Sequence, residues 1–340
     1  MKKGYKLFGS LIIGITLLLS ACGQTSSTDS DDSSKDKNSS PVITNIVGGS
    51  VGGSWSVFSE GIAESIRKTH EGSIVTVEPG GLVENPPLVG DNTVPFGIAY
   101  SMTSHAAYTG TEPYNKKYED IRAVSVVIPR NLYQFVAVEN APYDSFDDIV
   151  ESQYPARIVV DDKGSPGEII TRKILEAYGT SYEEIIGWGG SVDHLGGSKP
   201  FEMMSDNRAD GTGDAIPVPD SSIIEASTTM KLKMISLNDD VIDKLEKDLG
   251  LIEGTVEASA YDFQKEAIKT VNTPAILITN KNVDDETVYK MVKSIYENLE
   301  YLGTVHEEFK KLTKENMADV GSVPLHPGAE KFFKEIGVIE

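Results

Sequence analysis

The amino-acid sequence predicts an α/β fold with mostly parallel sheets, arranged in two units behind an N-terminal leader and tether. Three observations carry this expectation. Short apolar runs of strand length alternate with stretches of helical spacing from residue 41 to the end. Two of the strand-like runs end in glycine-rich loops that open directly into helices, at residues 48–55 and 161–167. About 300 residues follow the tether, enough for two domains of ordinary size.

The chain opens with Lys2, Lys3 and Lys6, then an apolar run over residues 11–19, then Leu19-Ser20-Ala21-Cys22. A positive start, a short apolar stretch and small residues at the cut describe an export signal over residues 1–21, too short to span a bilayer. The cut falls before the chain's only cysteine. That arrangement looks like a bacterial lipobox, in which Cys22 is lipidated and becomes the mature N-terminus. An ordinary secretory signal cut elsewhere is the alternative. With a single cysteine there is no internal disulfide. Residues 23–40 hold seven serines, four aspartates and almost nothing apolar, so residues 22–40 read as a flexible tether. The expected location is extracytoplasmic, with the lipid on Cys22 fixing the protein to the cell membrane.

Charge narrows the partners. The whole chain has a formal net charge of −21, and removing residues 1–21 with their three lysines and no acid makes it −24. So acidic a surface argues against nucleic acid and against electrostatic docking on anionic lipid. Any bound anion must be held by local groups. The doublets Asp147-Asp148, Asp161-Asp162, Asp239-Asp240 and Asp284-Asp285 read as turns and helix starts, and none has the spacing of a calcium loop.

Taken in order, strands are expected near 42–48, 73–78, 95–100, 122–128, 132–138, 157–161, 213–216, 232–236 and 274–279. Helices are expected near 54–69, 143–151, 167–178, 220–228, 239–249, 285–301, 304–317 and 327–336. The first loop, Gly48-Gly49-Ser50-Val51-Gly52-Gly53-Ser54-Trp55, ends a strand and starts the helix carrying Phe58, Ile62 and Ile66. Bare N–H groups at such a corner bind anions, carboxylates included, without a basic side chain. A tight turn with no ligand is the plainer reading. The second strand runs into Pro79-Gly80-Gly81-Leu82-Val83-Glu84-Asn85-Pro86, where Asn85 has the form of an N-cap before a proline. The third ends at Tyr100-Ser101-Met102. Converging strand ends of this kind are where open α/β sheets take ligands. In the second unit Asp162-Lys163-Gly164-Ser165-Pro166-Gly167 repeats the strand-to-helix device, and Asp210-Gly211-Thr212-Gly213-Asp214 makes a small-residue segment opposite it.

The order of these pieces resembles the TAXI family of extracytoplasmic solute receptors, which serve TRAP-type transporters. The matching stretches are Gly49 to Trp55, Gly80 to Asn85, Gly164 to Gly167, the returning Thr270-Val271-Asn272-Thr273-Pro274-Ala275-Ile276-Leu277, and the closing Val323-Pro324-Leu325-His326-Pro327-Gly328. The resemblance implies a two-lobed, periplasmic-binding-protein-like fold of type II. Its lobes would be residues 41–137 with 272–340, and residues 138–271, with crossings near 135–140 and 270–275 as the hinge. It implies a monomeric binding protein, not an enzyme, with no cofactor and no metal. Such a receptor captures a small organic acid, an amino acid such as glutamate or another carboxylate, and passes it to a membrane permease. By that likeness Ser50, Gly53, Ser54, Trp55, Gly81, Glu84, Asn85, Tyr100 and Ser101 line the first lobe, and Ser165, Gly167, Thr212 and Asp214 the second. The chain departs from the family at Leu82, Pro166 and Tyr100-Ser101-Met102, which suggests a larger or more apolar acid.

Three other chemistries draw on residues of the same chain. Gly48-Gly49-Ser50-Val51-Gly52 also fits the G-x-S-x-G elbow of a serine hydrolase, with His194, His306 or His326 as base. Only about eight foldable residues precede it, too few for the strands such an elbow needs upstream. A phosphate loop would need lysine where Ser54 stands. The five histidines show no metal-ligand spacing. Trp188, set among glycines, is a candidate to stack on a ligand, and Arg130 to grip a carboxylate near the hinge.

Overall fold

Apolar alternation and glycine punctuation resolve into two sheets, each with helices over its faces. In the computed structural model the described residues are 40–49, 54–81 and 83–340, with Ser54 described by its backbone alone. The elements begin with β1 (Ile43–Val47), α1 (Ser54–Thr69), β2 (Ile74–Glu78), α2 (Asn85–Gly90), β3 (Phe96–Tyr100), α3 (Ser101–Thr109) and β4 (Ile121–Ile128). Next come β5 (Leu132–Val138), α4 (Phe146–Glu151), β6 (Arg157–Val160), α5 (Pro166–Ala177), α6 (Tyr182–Gly187), β7 (Ser191–His194), α7 (Lys199–Ser205) and β8 (Gly211–Ile216). Then follow α8 (Ser221–Thr229), β9 (Leu232–Ile235), α9 (Asp239–Leu249), β10 (Ile252–Val256) and β11 (Ile268–Asn272). The chain returns through β12 (Ala275–Asn280), α10 (Asp285–Glu297), α11 (Leu299–Val305) and α12 (Pro327–Glu335).

The first sheet has the order β2-β1-β3-β12-β4. Strands β1, β2 and β3 are parallel, and β12 runs antiparallel between β3 and β4. Every residue of β12 is buried, which suits a strand covered on both faces. Helix α1 turns Phe58, Ile62 and Ile66 into the core at helical spacing and packs on α10 and α11. The late position of β12 in the chain therefore makes the C-terminal segment part of the first lobe.

The second sheet has the order β10-β11-β5-β8-β6-β7, with β9 also on β5. Here β7, β6 and β8 are parallel, while β5 is antiparallel to β8, β9 and β11. This sheet is mixed rather than mostly parallel, because β5 enters it from the first lobe against the direction of β8. Period-two alternation in β5 divides its side chains between two cores. Tyr133, Phe135 and Ala137 join one with α5 and α9, and Leu132 and Val136 join the other with α7 and α8.

The change of sheet falls between Ile128 and Leu132 on the way out and between Asn272 and Ala275 on the way back. The return agrees with the expected crossing near 270–275. The outward crossing lies earlier than 135–140, and the proposed boundary at 137/138 gives β5 to the first lobe although it pairs with β8 and β9 of the second. Local pattern marks a strand but not its partner. Two other corrections concern helices. The expected helix over 304–317 is instead short 3-10 turns at Glu307–Lys311 and Asn316–Ala318. The Asn316 amide closes that stretch by accepting from Thr313 N and donating to Lys311 O, an alternative to helix bonding. The expected helix over 285–301 is broken at Asn298 into α10 and α11.

Asn85 is the residue that ties the first lobe's strand ends together. It is not the N-cap of α2 but its first helical residue, since Glu84 takes the cap position without a side-chain bond. The fully buried Asn85 amide donates to Gly48 O (2.8 Å) and Ile98 O (2.7 Å), and its Oδ1 accepts from Gly81 N (3.0 Å). One side chain thus joins the exit of β1, the body of β3 and the loop after β2. A Cβ on Gly80 would overlap Asn85 Oδ1 and crowd Gly48 O, which explains glycine there. Asn85→Ala is expected to lower stability by about 3 kcal/mol, because several buried backbone groups lose their partners at once. Urea unfolding of the two chains measures the difference, and a loss below about 1 kcal/mol would show that other groups hold the strand ends.

Candidate functional site

The expected ligand residues of the first lobe divide by what their polar groups already do. Ser50 and Gly53 lie outside the described residues, as does Cys22. Ser54 is the first residue of α1. Trp55 follows it, half-buried, with its ring edge-on to Phe58 and to Tyr100 at centroid separations of 5.2 and 5.5 Å. Tyr100 ends β3, and its hydroxyl lies beside the Asn131 side chain in the outward crossing. Burial, then the charges of Asp214 and Asp161, hold the Tyr100 hydroxyl well above its ordinary range. Asn131 is itself 4% exposed, with Nδ2 unbonded among the described residues. Glu84 is exposed and curls over Gly81, whereas the Gly81 N–H is taken by Asn85. Ser101 is buried, with Oγ 3.4 Å from Thr273 Oγ1 at the return crossing. Asn85, Gly81 and Ser101 therefore act as internal ties in this structure, while Trp55 and Tyr100 form an aromatic wall.

In the second lobe the helix start expected to be bare is filled by the chain's own acids. Ser165 caps α5 by accepting from Glu168 N (3.2 Å), with Pro166 in the first turn. The buried Glu168 reaches back, accepting from Gly164 N (3.1 Å) and from Arg172 Nε (3.1 Å). A Cβ on Gly167 would overlap Asp214 Oδ1. Carboxylates at a positive helix end are favourable, and here they satisfy the site from within.

Asp214 and Thr212 belong to a cavity of about 170 Å³. Register builds its floor: Gln134 pairs with Asp214 and Val136 with Thr212, so four side chains of β5 and β8 rise from one face. Asp161 at the end of β6, the loop Leu195–Gly197, Phe201 of α7 and Asp220 before α8 make the walls. The lining includes three carboxylates, Asp161, Asp214 and Asp220, and no lysine, arginine or histidine. Gln134 is fixed by donating to Ile216 O and accepting from Tyr261 Oη (2.6 Å). Tyr261 Oη in turn accepts from Asp220 N. Burial first, then Asp161, pushes the Asp214 carboxyl up to about 7, with Asp220 adding and the hydrogen bond from Ala215 N opposing.

Sequence reading missed Gln134, Asp161 and Asp220 as site residues. Gln134 is a lone polar residue in the apolar run 132–138, and Asp161 stands where a strand meets its loop, so both carried a signal. Asp220 caps α8, and only the fold turns it to the cavity. Of the weighed candidates, Arg130 donates to Thr255 O, and Trp188 packs against the second lobe's core. His326 is buried and caps α12 by accepting from Gly328 N.

A carboxyl held above its ordinary value favours folding in the protonated form. Asp214 therefore costs stability above about pH 7, and the cost fades as pH falls toward about 4. Asp214→Asn is expected to melt above the parent chain near about pH 8 and level with it near about pH 3. Thermal unfolding at both values checks this, and equal curves throughout would mean that water reaches the carboxyl freely.

The chain is similar to the periplasmic aliphatic sulphonate-binding protein SsuA from Escherichia coli, at 12% identity over 87% of this chain and 79% of that one, with a TM-score of 0.46. It is also similar to the probable amino-acid ABC transporter extracellular-binding protein YtmK from Bacillus subtilis (12% identity, 80% and 97% covered, TM-score 0.46). A TctC solute-binding protein from Polaromonas matches at 14% identity over 88% and 99%, with a TM-score of 0.48. The model of the NMT1-like family matches residues 46–337, nearly the whole folded part, and the chain belongs to that family.

Proposed function

We propose that this protein is an extracytoplasmic solute-binding receptor, a binding protein rather than an enzyme, which encloses a small organic solute between its lobes and delivers it to a membrane permease. The observation that carries this reading is the seating of Tyr100, from the first lobe, against Asn131 of the crossing and within reach of the Asp214 and Asp161 charges of the second. Two short crossings, at 129–131 and 273–274, are the only links of backbone between the sheets in the described chain, as a hinge requires. Contacts between the lobes are of two kinds: Met102 of α3 packs into the second lobe's apolar core beside α9, and polar bonds join the rims. Arg172 Nη2 meets Glu112 Oε2 at 2.9 Å, and Lys311 Nζ donates to Val218 O at 2.8 Å. Such bonds break and remake at low cost, which suits opening and closing.

The resemblance to the TAXI family adds the finer reading. It makes the partner a TRAP-type permease, the anchor a lipid on Cys22, the receptor a monomer, and the solute a small organic acid. What supports an acid is the sequence of the glycine-serine stretch 48–54 leading into α1, a kind of helix start that binds anions. The described walls of the second lobe supply carboxylates instead. The hydrolase alternative has little to draw on: His326 is buried and occupied as a cap, and His306 Nδ1 accepts from Glu308 N.

Protein purified without denaturation is expected to carry a small organic compound that mass spectrometry can identify. Gly167→Val, which displaces Asp214, should lower its occupancy by about ten-fold while the far-ultraviolet circular dichroism stays the same. Equal occupancy in the variant, or an empty parent protein under all growth conditions, would count against the receptor.

A further inference from the structure

We propose that the second-lobe cavity receives a positively charged organic nitrogen, an ammonium or guanidinium group on a small apolar body. The inference rests on the receptor reading, not on the TAXI likeness, and departs from the small organic acid which that likeness implies. Its first support is the composition of the walls. Three carboxylates face a cavity of about 170 Å³ that no cationic side chain lines, and none of the three is in an ion pair among the described residues. Charges so placed repel one another and attract a cation, and the partial exclusion of water strengthens both effects.

A second, independent support is Thr212. Its side chain lines the cavity at 7% exposure, yet its hydroxyl makes no hydrogen bond with any described residue. The hydroxyl opens on the cavity, where its bonding capacity is available to a ligand donor. Asp214 stands next to it on β8, two residues along and on the same face. Oδ1 of Asp214 is held by Ala215 N at 2.7 Å, while its other oxygen has no partner among the described residues. Burial first holds this carboxyl toward its protonated form, and a cation placed beside it would favour the ionised one.

The shape distinguishes among cations. Val136, Leu195, Pro200 and Phe201 give the cavity apolar walls that a bare ion cannot use. Among the described residues no three His, Cys, Asp or Glu side chains come together closely enough to hold a metal ion. Carbon surface against these walls and a charged nitrogen toward Asp214 and Thr212 satisfy both parts of the lining. An acid of the same size would meet three like charges.

The test compares isosteric probes on the full chain by calorimetry and thermal shift: butylammonium and putrescine against butyrate and succinate. The amines are expected to bind about ten-fold or more tighter than the acids. Asp214→Asn should weaken amine binding by about ten-fold, and Thr212→Val, which leaves every charge in place, by roughly three-fold. Acids binding as well as amines, or amine affinity unchanged in Asp214→Asn, would overturn the cation subsite and leave the receptor standing. No shift with any probe overturns the subsite as well. An absence of co-purified solute would then remove the receptor reading with it.

Discussion

A single buried amide sets the first lobe's geometry. Asn85 bonds to carbonyls from the exit of β1 and the body of β3 and to the amide of Gly81, so three strands share one anchor. Backbone groups at strand ends leave the ladder and need other partners when buried. Supplying them from one side chain fixes the exits relative to each other, and with them Trp55 at the start of α1 and Tyr100 at the end of β3. Those two rings touch edge to face because their backbones are held. The aromatic wall of the cleft is thus a consequence of a polar tie behind it.

The second lobe solves a different electrostatic problem. Helix α5 offers a positive end, and the chain fills it with Glu168 and Asp214, the former restrained by Arg172. Arg172 also reaches Glu112 of the first lobe, so the residue that balances the helix start is part of the contact between lobes. Behind that end, Asp161, Asp214 and Asp220 crowd a small cavity with no cation beside them. Burial first, then the neighbouring Asp161 charge, disfavours the ionised form of Asp214 there. Function is where proteins keep such arrangements.

Continuity between lobes comes from strands that change sheet. β4 belongs to the first sheet and β5 to the second, with residues 129–131 between them, and β11 hands over to β12 across residues 273 and 274. Asn272 pins these segments to each other, its Oδ1 accepting from Asn131 N and its Nδ2 donating to Pro129 O. The crossings are therefore a coupled pair, and Tyr100 rests against one of them. A change in lobe angle necessarily alters what the Tyr100 hydroxyl meets.

Much of this architecture was legible in the residues. Apolar runs such as 275–280 and helical spacing such as Phe58, Ile62 and Ile66 mark elements through periodicity, which is local. The strand-to-helix loop at 164–167 and the acidic helix starts at Asp147-Asp148, Asp239-Asp240 and Asp284-Asp285 follow from capping, which is also local. Where β5 pairs, whether Asn85 caps a helix or ties three strands, and whether an acid such as Asp220 faces water or a cavity are questions of distant partners. Periodicity, capping and composition are enough for the elements and the acidity of the chain. Only the tertiary structure decided which carboxylates meet in one space, because charge and hydrogen-bond satisfaction are settled between residues far apart in the chain.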